Sequence, residues 1–247
     1  MLFMDNVMLK LNIKSLLKLF LIPLCWLFLP VSPSVAESRL VHSIDFSKPA
    51  DGDARPWLAK KGYIQELDAD EIEVYFRNNY LNLTTDGEKS GIFALQLTEK
   101  NYLKNITRIE IEWGVSRQPK GADWEEGNNR VPIALMFFFG TEKISSGLPF
   151  GLNAAPYFLS PFIGRKETPG KIYIGKLYKE GGRYLCVAIS EGSAGVIKST
   201  IKINPLFMKL FKKADVPPLT GIAFQMNTTD TEGGASAFIR KIEFYAD

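Results

Sequence analysis

Histidine and cysteine are nearly absent from this sequence of 247 residues. His42 is the only histidine, and there are two cysteines, Cys25 and Cys186. A single histidine excludes a histidine-rich zinc site, and it excludes Ser-His-Asp or Cys-His catalysis unless His42 itself takes part. The glycine-rich phosphate loops GxGxxG and GxxxxGK[ST] are also missing. An enzyme built on this chain would therefore have to use carboxylates, Tyr, Lys or Arg.

The first 36 residues have the pattern of a secretory signal peptide. Three lysines precede an apolar run over residues 19–29, and the small-x-small sequence Ser34-Val35-Ala36 follows. The apolar run is shorter than the ~20 residues that a spanning helix needs. We predict cleavage after Ala36, no membrane span in the mature chain and a periplasmic or secreted location. Retention of the segment as an anchor is the alternative.

Charge is close to balanced once that segment is set aside. Residues 37–247 keep 27 basic and 26 acidic side chains. Nucleic-acid binding rests on clustered positive charge, so we expect no nucleic-acid partner. Cys186 would be the only cysteine of the mature chain, which excludes an internal disulfide. We expect it to be a small buried side chain.

Alternation of apolar and polar residues is the dominant pattern. In residues 106–115, ITRIEIEWGV, the apolar side chains from Ile109 to Val115 fall on one face of a strand. Residues 71–77 and 91–98 repeat this pattern. Residues 133–139, IALMFFF, are apolar on both faces, which is typical of a central strand covered on both sides.

Helix and turn signals are few. One short helix is predicted near residues 205–213, with Asn204 as its N-cap and Pro205 at its first position. The sequence KEGGRY predicts a hairpin in which Gly181-Gly182 adopts positive φ. We predict an all-β fold, a single jelly-roll-like β-sandwich over residues 37–247, with a closed barrel as the alternative.

The order of these features resembles an exported bacterial family, the domain of unknown function number 3047. The matching segments are the Trp strand RIEIEWGV, the polar stretch ADWEEGNNR leading into PIALMFFFG, and the closing loop QMNTTDTEGG. The resemblance implies a sandwich related in shape to carbohydrate-binding modules, and it implies no activity. Here Asn128-Asn129 replaces the acid pair of the family, and Asn227 and Thr229 replace acids of its closing loop.

The residues expected to bind a ligand lie in these two polar loops: Trp124, Asn129, Arg130, Asn227 and Asp230. Trp124 lies in KGADWEEGNN, where no alternation buries it, so it is the best candidate for an exposed ring that stacks on sugar. A ring tucked against the sheet edge remains the preferred interpretation of Trp124 itself. Residues 153–164, NAAPYFLSPFIG, are expected to form an aromatic loop that either binds a partner or folds over the end of the sandwich.

The loop over residues 227–234 collects many oxygen atoms, and three interpretations are open. It is expected to be a structural turn, because Asn and Thr side chains bond their own backbone in turns. A ligand-facing rim and a structural calcium site are the alternatives. The calcium site would use Asp230 and Glu232, with help from Asp51 and Asp53 if the first and last strands pair.

These features predict a non-catalytic exported protein that binds a glycan or another component of the cell envelope. A polysaccharide lyase or hydrolase on a jelly-roll scaffold is one alternative. Glu110 and Glu112 share a strand face, but Arg108 beside them makes an ordinary charged surface the preferred interpretation. A structural or assembly partner in the envelope is the other alternative.

Overall fold

The computed structural model describes residues 38–148, 154–192 and 195–247. The predicted signal peptide lies outside the described residues. Within Glu37–Asp247 the chain forms one compact unit. No helix in the described part of the chain reaches the length and apolarity that a membrane span requires.

Strands dominate the described chain, and two short helices accompany them. In chain order the elements are β1 (Arg39–Asp45), β2 (Gly52–Asp53), α1 (Arg55–Lys60), β3 (Tyr63–Leu67), β4 (Glu73–Arg77), β5 (Tyr80–Thr85), β6 (Ser90–Gln96), β7 (Ile106–Arg117), β8 (Val131–Ile144), β9 (Ala155–Gly164), β10 (Ile172–Tyr173), β11 (Gly182–Ile189), β12 (Ile197–Lys202), α2 (Ile203–Phe211), β13 (Leu219–Asn227) and β14 (Ala235–Ala246).

The strands form two seven-stranded sheets that pack as a β-sandwich. Sheet A has the order β12-β7-β14-β5-β4-β2, and β1 also pairs with β14. Sheet B has the order β10-β11-β9-β8-β13-β6-β3. The pairs are antiparallel except β9 with β11, which run parallel. The chain crosses repeatedly between the sheets, and the predicted all-β, jelly-roll-like sandwich is confirmed.

The main core lies between the sheets and is built by the alternation seen in the sequence. In β7 the side chains of Ile109, Ile111, Trp113 and Val115 are fully buried, while the residues between them point away. The indole Nε1 of Trp113 donates a hydrogen bond to Ser199 Oγ on the neighbouring β12 at 3.0 Å. The hydrogen bond satisfies the one polar atom of this large core side chain.

β8 is a central strand with both faces covered, as predicted. Its neighbours are β9 and β13, and its inward side chains join the main core. Its outward residues Ala134 and Met136 are buried in two smaller clusters that include Trp124, Phe158 and Phe162. The residues around 118–130 and 165–181 therefore cover the outer face of sheet B.

The aromatic loop expected over residues 153–164 is wrong, because these residues form strand β9. The strand pairs with both β8 and β11, and Phe158 and Phe162 are fully buried. Pro161 lies in the middle of the strand, opposite Leu185 of β11. Prolines bracketing aromatics favoured a loop in the sequence, yet full burial of the aromatic side chains outweighs the loss of the proline N–H.

The helix was predicted at nearly the right place but with the wrong start. α2 begins at Ile203, its N-cap is Lys202, and no side chain caps it. Strand β12 runs directly into the helix, and Ile203 is fully buried, so burial of this side chain fixes the start. Pro205 is tolerated because the first N–H groups of a helix have no intrahelical acceptor. The six-residue helix α1 was not predicted.

The predicted hairpin turn at Gly181-Gly182 is also wrong. Neither glycine has positive φ, and β10 pairs with β11 through Tyr173 opposite Tyr184, which leaves a longer connection. A Cβ at Gly182 would lie 2.4 Å from the Phe158 ring. These glycines permit close packing rather than a tight turn.

A groove between β1 and β6 as the candidate binding site

Trp124 is a buried ring and not the exposed platform that the ligand-binding interpretation required. Its side chain is 6% exposed, it stacks on Phe162 at 5.0 Å between ring centroids, and Tyr173 and Tyr184 pack around it. The indole Nε1 donates to Arg130 O at 3.2 Å. The preferred interpretation of a tucked ring is therefore what the structure shows, because Phe162, Tyr173 and Tyr184 cover the ring that a sugar would need.

The loop around Trp124 is held in place by a buried carboxylate. Glu167 accepts hydrogen bonds from the backbone N–H groups of Trp124, Arg165 and Lys166 at 2.7–3.1 Å. Tyr173 Oη donates to Glu125 Oε1 at 2.6 Å, and Lys171 forms an ion pair with the same carboxylate. The surroundings of Trp124 thus serve packing and loop geometry.

Arg130 and Asp230 do come together, as a contact between the two polar loops. The Arg130 guanidinium donates to Thr229 O at 2.7 Å and forms an ion pair with Asp230. Asn128 Nδ2 adds a bond to Asp230 O at 3.1 Å. The Arg130 side chain is 18% exposed and the Asp230 side chain 73%, so the arginine is largely covered by the protein while the carboxylate faces solvent. Asn129 is partly exposed beside them.

The side-chain amide and hydroxyl oxygen atoms of Asn227, Thr228, Thr229 and Thr231 are used in hydrogen bonds within the fold. Asn227 Oδ1 accepts from the N–H and the hydroxyl of Thr229, and Thr228 Oγ1 bonds Gly87 O and Lys89 N. Thr231 Oγ1 donates to Thr228 O at 2.6 Å. The loop is a structural turn with a dense set of local bonds, as expected.

The first and last strands pair, β1 with β14, as the calcium interpretation required. Asp53, however, bonds the N–H of Arg55, and β2 pairs with β4 at the edge of sheet A. Across the described ranges, no group of three or more acidic, Cys or His side chains is arranged to hold a metal ion. A structural calcium ion therefore stays a prediction that no observed cluster supports.

A groove of about 1030 Å³ opens between the two sheets. We call it the β1–β6 groove, because His42, Ser43, Ile44 and Asp45 of β1 form one wall and residues 95–103, from the end of β6 onward, form the other. Trp57 and Lys61 of the α1 region and Tyr63 of β3 complete it. Its volume lies at the top of the ~300–1,000 Å³ range of ligand pockets.

Helix α1 positions the aromatic ring of the groove. The Arg55 guanidinium donates to Asp70 O at 2.9 Å and to Ile72 O at 2.6 Å. These bonds hold the helix against the turn that comes directly before β4. Trp57 packs against Phe46 and Phe76 at 5.7 and 5.5 Å and is only half-buried. Gly62, at φ +90°, lets the chain leave the helix and enter β3.

The β1 wall contributes two titratable side chains. Burial lowers the pKa of His42, so its imidazole is neutral at pH 7 and can both donate and accept hydrogen bonds. Burial opposes ionisation of Asp45, but hydrogen bonds from Ser47 and the charge of Lys48 outweigh it and lower the pKa of this carboxyl. Asp45 therefore remains an anion whose oxygen is already bonded to Ser47.

The opposite wall is a segment held by backbone bonds to β13. Leu97 N donates to Thr220 O at 2.9 Å, and Leu103 exchanges both backbone bonds with Leu219. Between these anchors, Asn101 and Tyr102 line the groove with an amide and a phenol. The wall is thus fixed at both ends while its polar side chains face solvent.

Chemically, the groove suits binding better than hydrolysis. Aromatic rings and amide groups are the combination that holds a sugar, by stacking and by hydrogen bonds. A glycosidase needs two carboxyl groups on either side of the bond that is cleaved. Among the residues described, Asp45 is the only carboxylate that lines the groove.

Sequence reasoning missed this site because its residues are far apart in the chain. Trp57 was visible as a tryptophan after Pro56, but nothing local connects it to residues 95–103. The signal that could have found it was the pairing of sequence-distant strands, since β3 pairs with β6 and brings Tyr63 opposite Leu95.

Comparison with known proteins gives fold similarity only. No family model and no curated protein matches the chain, so the resemblance to the domain of unknown function 3047 stays a prediction. A legume lectin-like domain from Entamoeba histolytica is 14% identical with a TM-score of 0.42, covering 85% of this chain and 99% of that one. The K1 cleaved adhesin domain of Lys-gingipain from Porphyromonas gingivalis W83 is 10% identical with a TM-score of 0.39, covering 83% and 98%.

A family 29 carbohydrate-binding module from Piromyces equi is 10% identical with a TM-score of 0.34, covering 75% of this chain and 85% of that one. At these identities and TM-scores the likenesses carry no conclusion about ligand or activity. What the described residues show is an all-β sandwich with an open groove at the junction of its two sheets.

Proposed function

We propose that this chain is an exported, non-catalytic sandwich domain that binds a glycan in the β1–β6 groove. The observation that carries the proposal is the lining of the groove, in which the half-buried Trp57 ring lies among hydroxyl, amide and imidazole groups. A stacked sugar ring uses the apolar face of an aromatic side chain, and its hydroxyl groups use such neighbours. A groove of about 1030 Å³ has room for more than one sugar ring.

Trp57 also supplies a convenient signal for the test. The other tryptophans of the described residues, Trp113 and Trp124, are buried in the cores. A change in tryptophan emission on adding a polysaccharide would therefore report the groove. We expect one member of a panel of envelope and extracellular polysaccharides to shift the emission and to release or absorb heat in calorimetry.

The matched variants are Trp57→Phe and Trp124→Phe. Loss of the larger ring at Trp57 is expected to weaken the binding about 2- to 10-fold, which corresponds to an aromatic contact of about 0.5–1.5 kcal/mol. Trp124→Phe makes the same substitution outside the groove, so this variant should bind the polysaccharide with the affinity of the unchanged protein. Equal weakening by both variants would place the site elsewhere.

Two outcomes would overturn the proposal. Failure of every polysaccharide to bind at millimolar concentration would remove glycan binding. Release of reducing ends or of unsaturated uronates from the panel would show a hydrolase or a lyase instead. The envelope assembly role and the periplasmic or secreted location stay predictions from the sequence.

A further inference from the structure

Positive charge is concentrated around the β1–β6 groove. Three lysines line it, Lys48, Lys61 and Lys100, together with the single carboxylate of Asp45. With His42 neutral, three cations and one anion leave a net charge of +2. Residues 37–247 as a whole are close to neutral, so the groove is more positive than the average of the chain.

The carboxylate in the groove does not neutralise all of these lysines. Lys48 Nζ lies 3.6 Å from Asp45 Oδ2 and pairs with it. Lys61 and Lys100 form no ion pair with any residue that the structure describes, and they are two of eleven such lysines among the eighteen of residues 37–247; the other seven are paired. Two ammonium groups at the groove are therefore available to an anion.

One of these ammonium groups stands at the aromatic ring. Lys61 Nζ lies 5.4 Å from the centre of the Trp57 ring. A sugar that stacks on Trp57 would therefore carry its ring substituents within reach of a cation. Both kinds of sugar can stack on the ring, but only an acidic sugar also forms an ion pair with the ammonium.

Resting on the proposed function, we propose that the groove selects a polysaccharide whose sugar rings carry an acidic group, a carboxylate or a sulfate ester. Trp57 and Lys61 hold one acidic sugar, and Lys100 on the opposite wall meets an acidic group further along the same chain. The selection comes from the lysines, because Trp57, Asn101 and Tyr102 interact with neutral and acidic sugars alike.

The test compares one polymer in two charge states. The probes are a short oligogalacturonate and its fully methyl-esterified form, and a sulfated galactan oligosaccharide serves as the second acidic source. The test variant is Lys61→Gln/Lys100→Gln, and the control variant is Lys176→Gln/Lys179→Gln. The control removes the same charge from exposed lysines of residues 174–181, which do not line the groove.

We expect the unchanged protein to bind at least one acidic probe, and its affinity for that probe to fall as salt is added. Two exposed lysine contacts are worth about tenfold in affinity together, so the groove variant should bind that probe about tenfold more weakly. The control variant should bind like the unchanged protein. Which acidic probe binds decides between carboxylate and sulfate as the source.

The remaining outcomes separate this inference from the proposed function. Equal binding of the acidic and the esterified probe would overturn the selection for acid and leave glycan binding standing. Acidic binding that both variants weaken equally would overturn the assignment to Lys61 and Lys100. Absence of binding by these probes and by the whole polysaccharide panel would overturn both proposals.

Discussion

The phenol of Tyr63 gives the sharpest test of how well this sandwich is packed. Tyr63 is 6% exposed and packs against Phe224 at 5.5 Å between ring centroids. Its hydroxyl is buried and makes no hydrogen bond to any residue that the structure describes. A buried polar atom without a partner costs about 1–3 kcal/mol. Tyr63→Phe removes that atom and keeps the ring, so the variant should be more stable by about 1 kcal/mol.

The pH dependence of this gain follows from the same burial. Burial raises the pKa of the Tyr63 phenol above its value of about 10 in an unfolded chain. Above pH ~10 the unfolded chain loses this proton while the folded chain keeps it, so the unfolded state binds fewer protons and stability falls as pH rises. Tyr63→Phe lacks this loss. Its advantage should be constant below pH ~10 and should grow above it.

Urea unfolding at pH 7 and at pH values up to 11 measures both effects. A gain of about 1 kcal/mol corresponds to a melting temperature higher by roughly 2–4 °C for a domain of this size. The other tyrosines are present in both proteins, so the difference isolates Tyr63. A variant less stable by 1 kcal/mol or more at pH 7 would show that the hydroxyl has a hydrogen-bond partner, and an unchanged difference at high pH would refute its burial.

Two further predictions concern the closing loop. Gly234→Ala should unfold the protein or lower its free energy of unfolding by more than ~3 kcal/mol, because a Cβ there would lie 1.9 Å from Thr85 O. Gly233→Ala should lower it by only about 1 kcal/mol in thermal unfolding, because the space at Gly233 is open and only its positive φ is unfavourable. Equal effects would contradict the packing at Thr85. Arg130→Met should lower the free energy of unfolding by about 1.5–3 kcal/mol and Asp230→Asn by less than about 1 kcal/mol, because the arginine is the less exposed partner. The reverse order of the two losses in urea unfolding would disprove that reasoning.

Much of the fold could be predicted because strand alternation directly reflects burial. The alternation through Trp113 predicted β7, and the apolar run at 133–139 predicted a central strand covered on both faces. Local signals failed where tertiary burial competes with them. Prolines suggested a loop over residues 153–164, but burial of Phe158 and Phe162 stabilises a strand there. Asn204 suggested an N-cap, but burial of Ile203 places the helix start one residue before it.

The candidate site was less predictable than the fold, for a related reason. Polar neighbours kept Trp124 among the ligand-binding candidates, because a loop sequence carries no pattern that reveals a second layer packing over a sheet. Arg130 and Asp230 were named as candidates in two separate loops, and they meet because both loops adjoin strands β8 and β13, which pair. The groove residues His42, Trp57 and Tyr102 meet only after β1, α1 and residues 97–103 have been brought together by distant strands.

The covered outer face of sheet B explains why the β1–β6 groove is the preferred site. A sandwich can present a ligand surface on the open face of a sheet, but here Trp124, Tyr173 and Tyr184 pack onto that face. The residues that hold this layer, such as Glu167, use their polar atoms on backbone N–H groups. At the groove Trp57 is only half-buried, and Lys61, whose Nζ lies over the Trp57 ring, forms no ion pair with any residue that the structure describes. Burial on the sheet face and the open groove together support the proposal that a ligand binds at the junction of the two sheets.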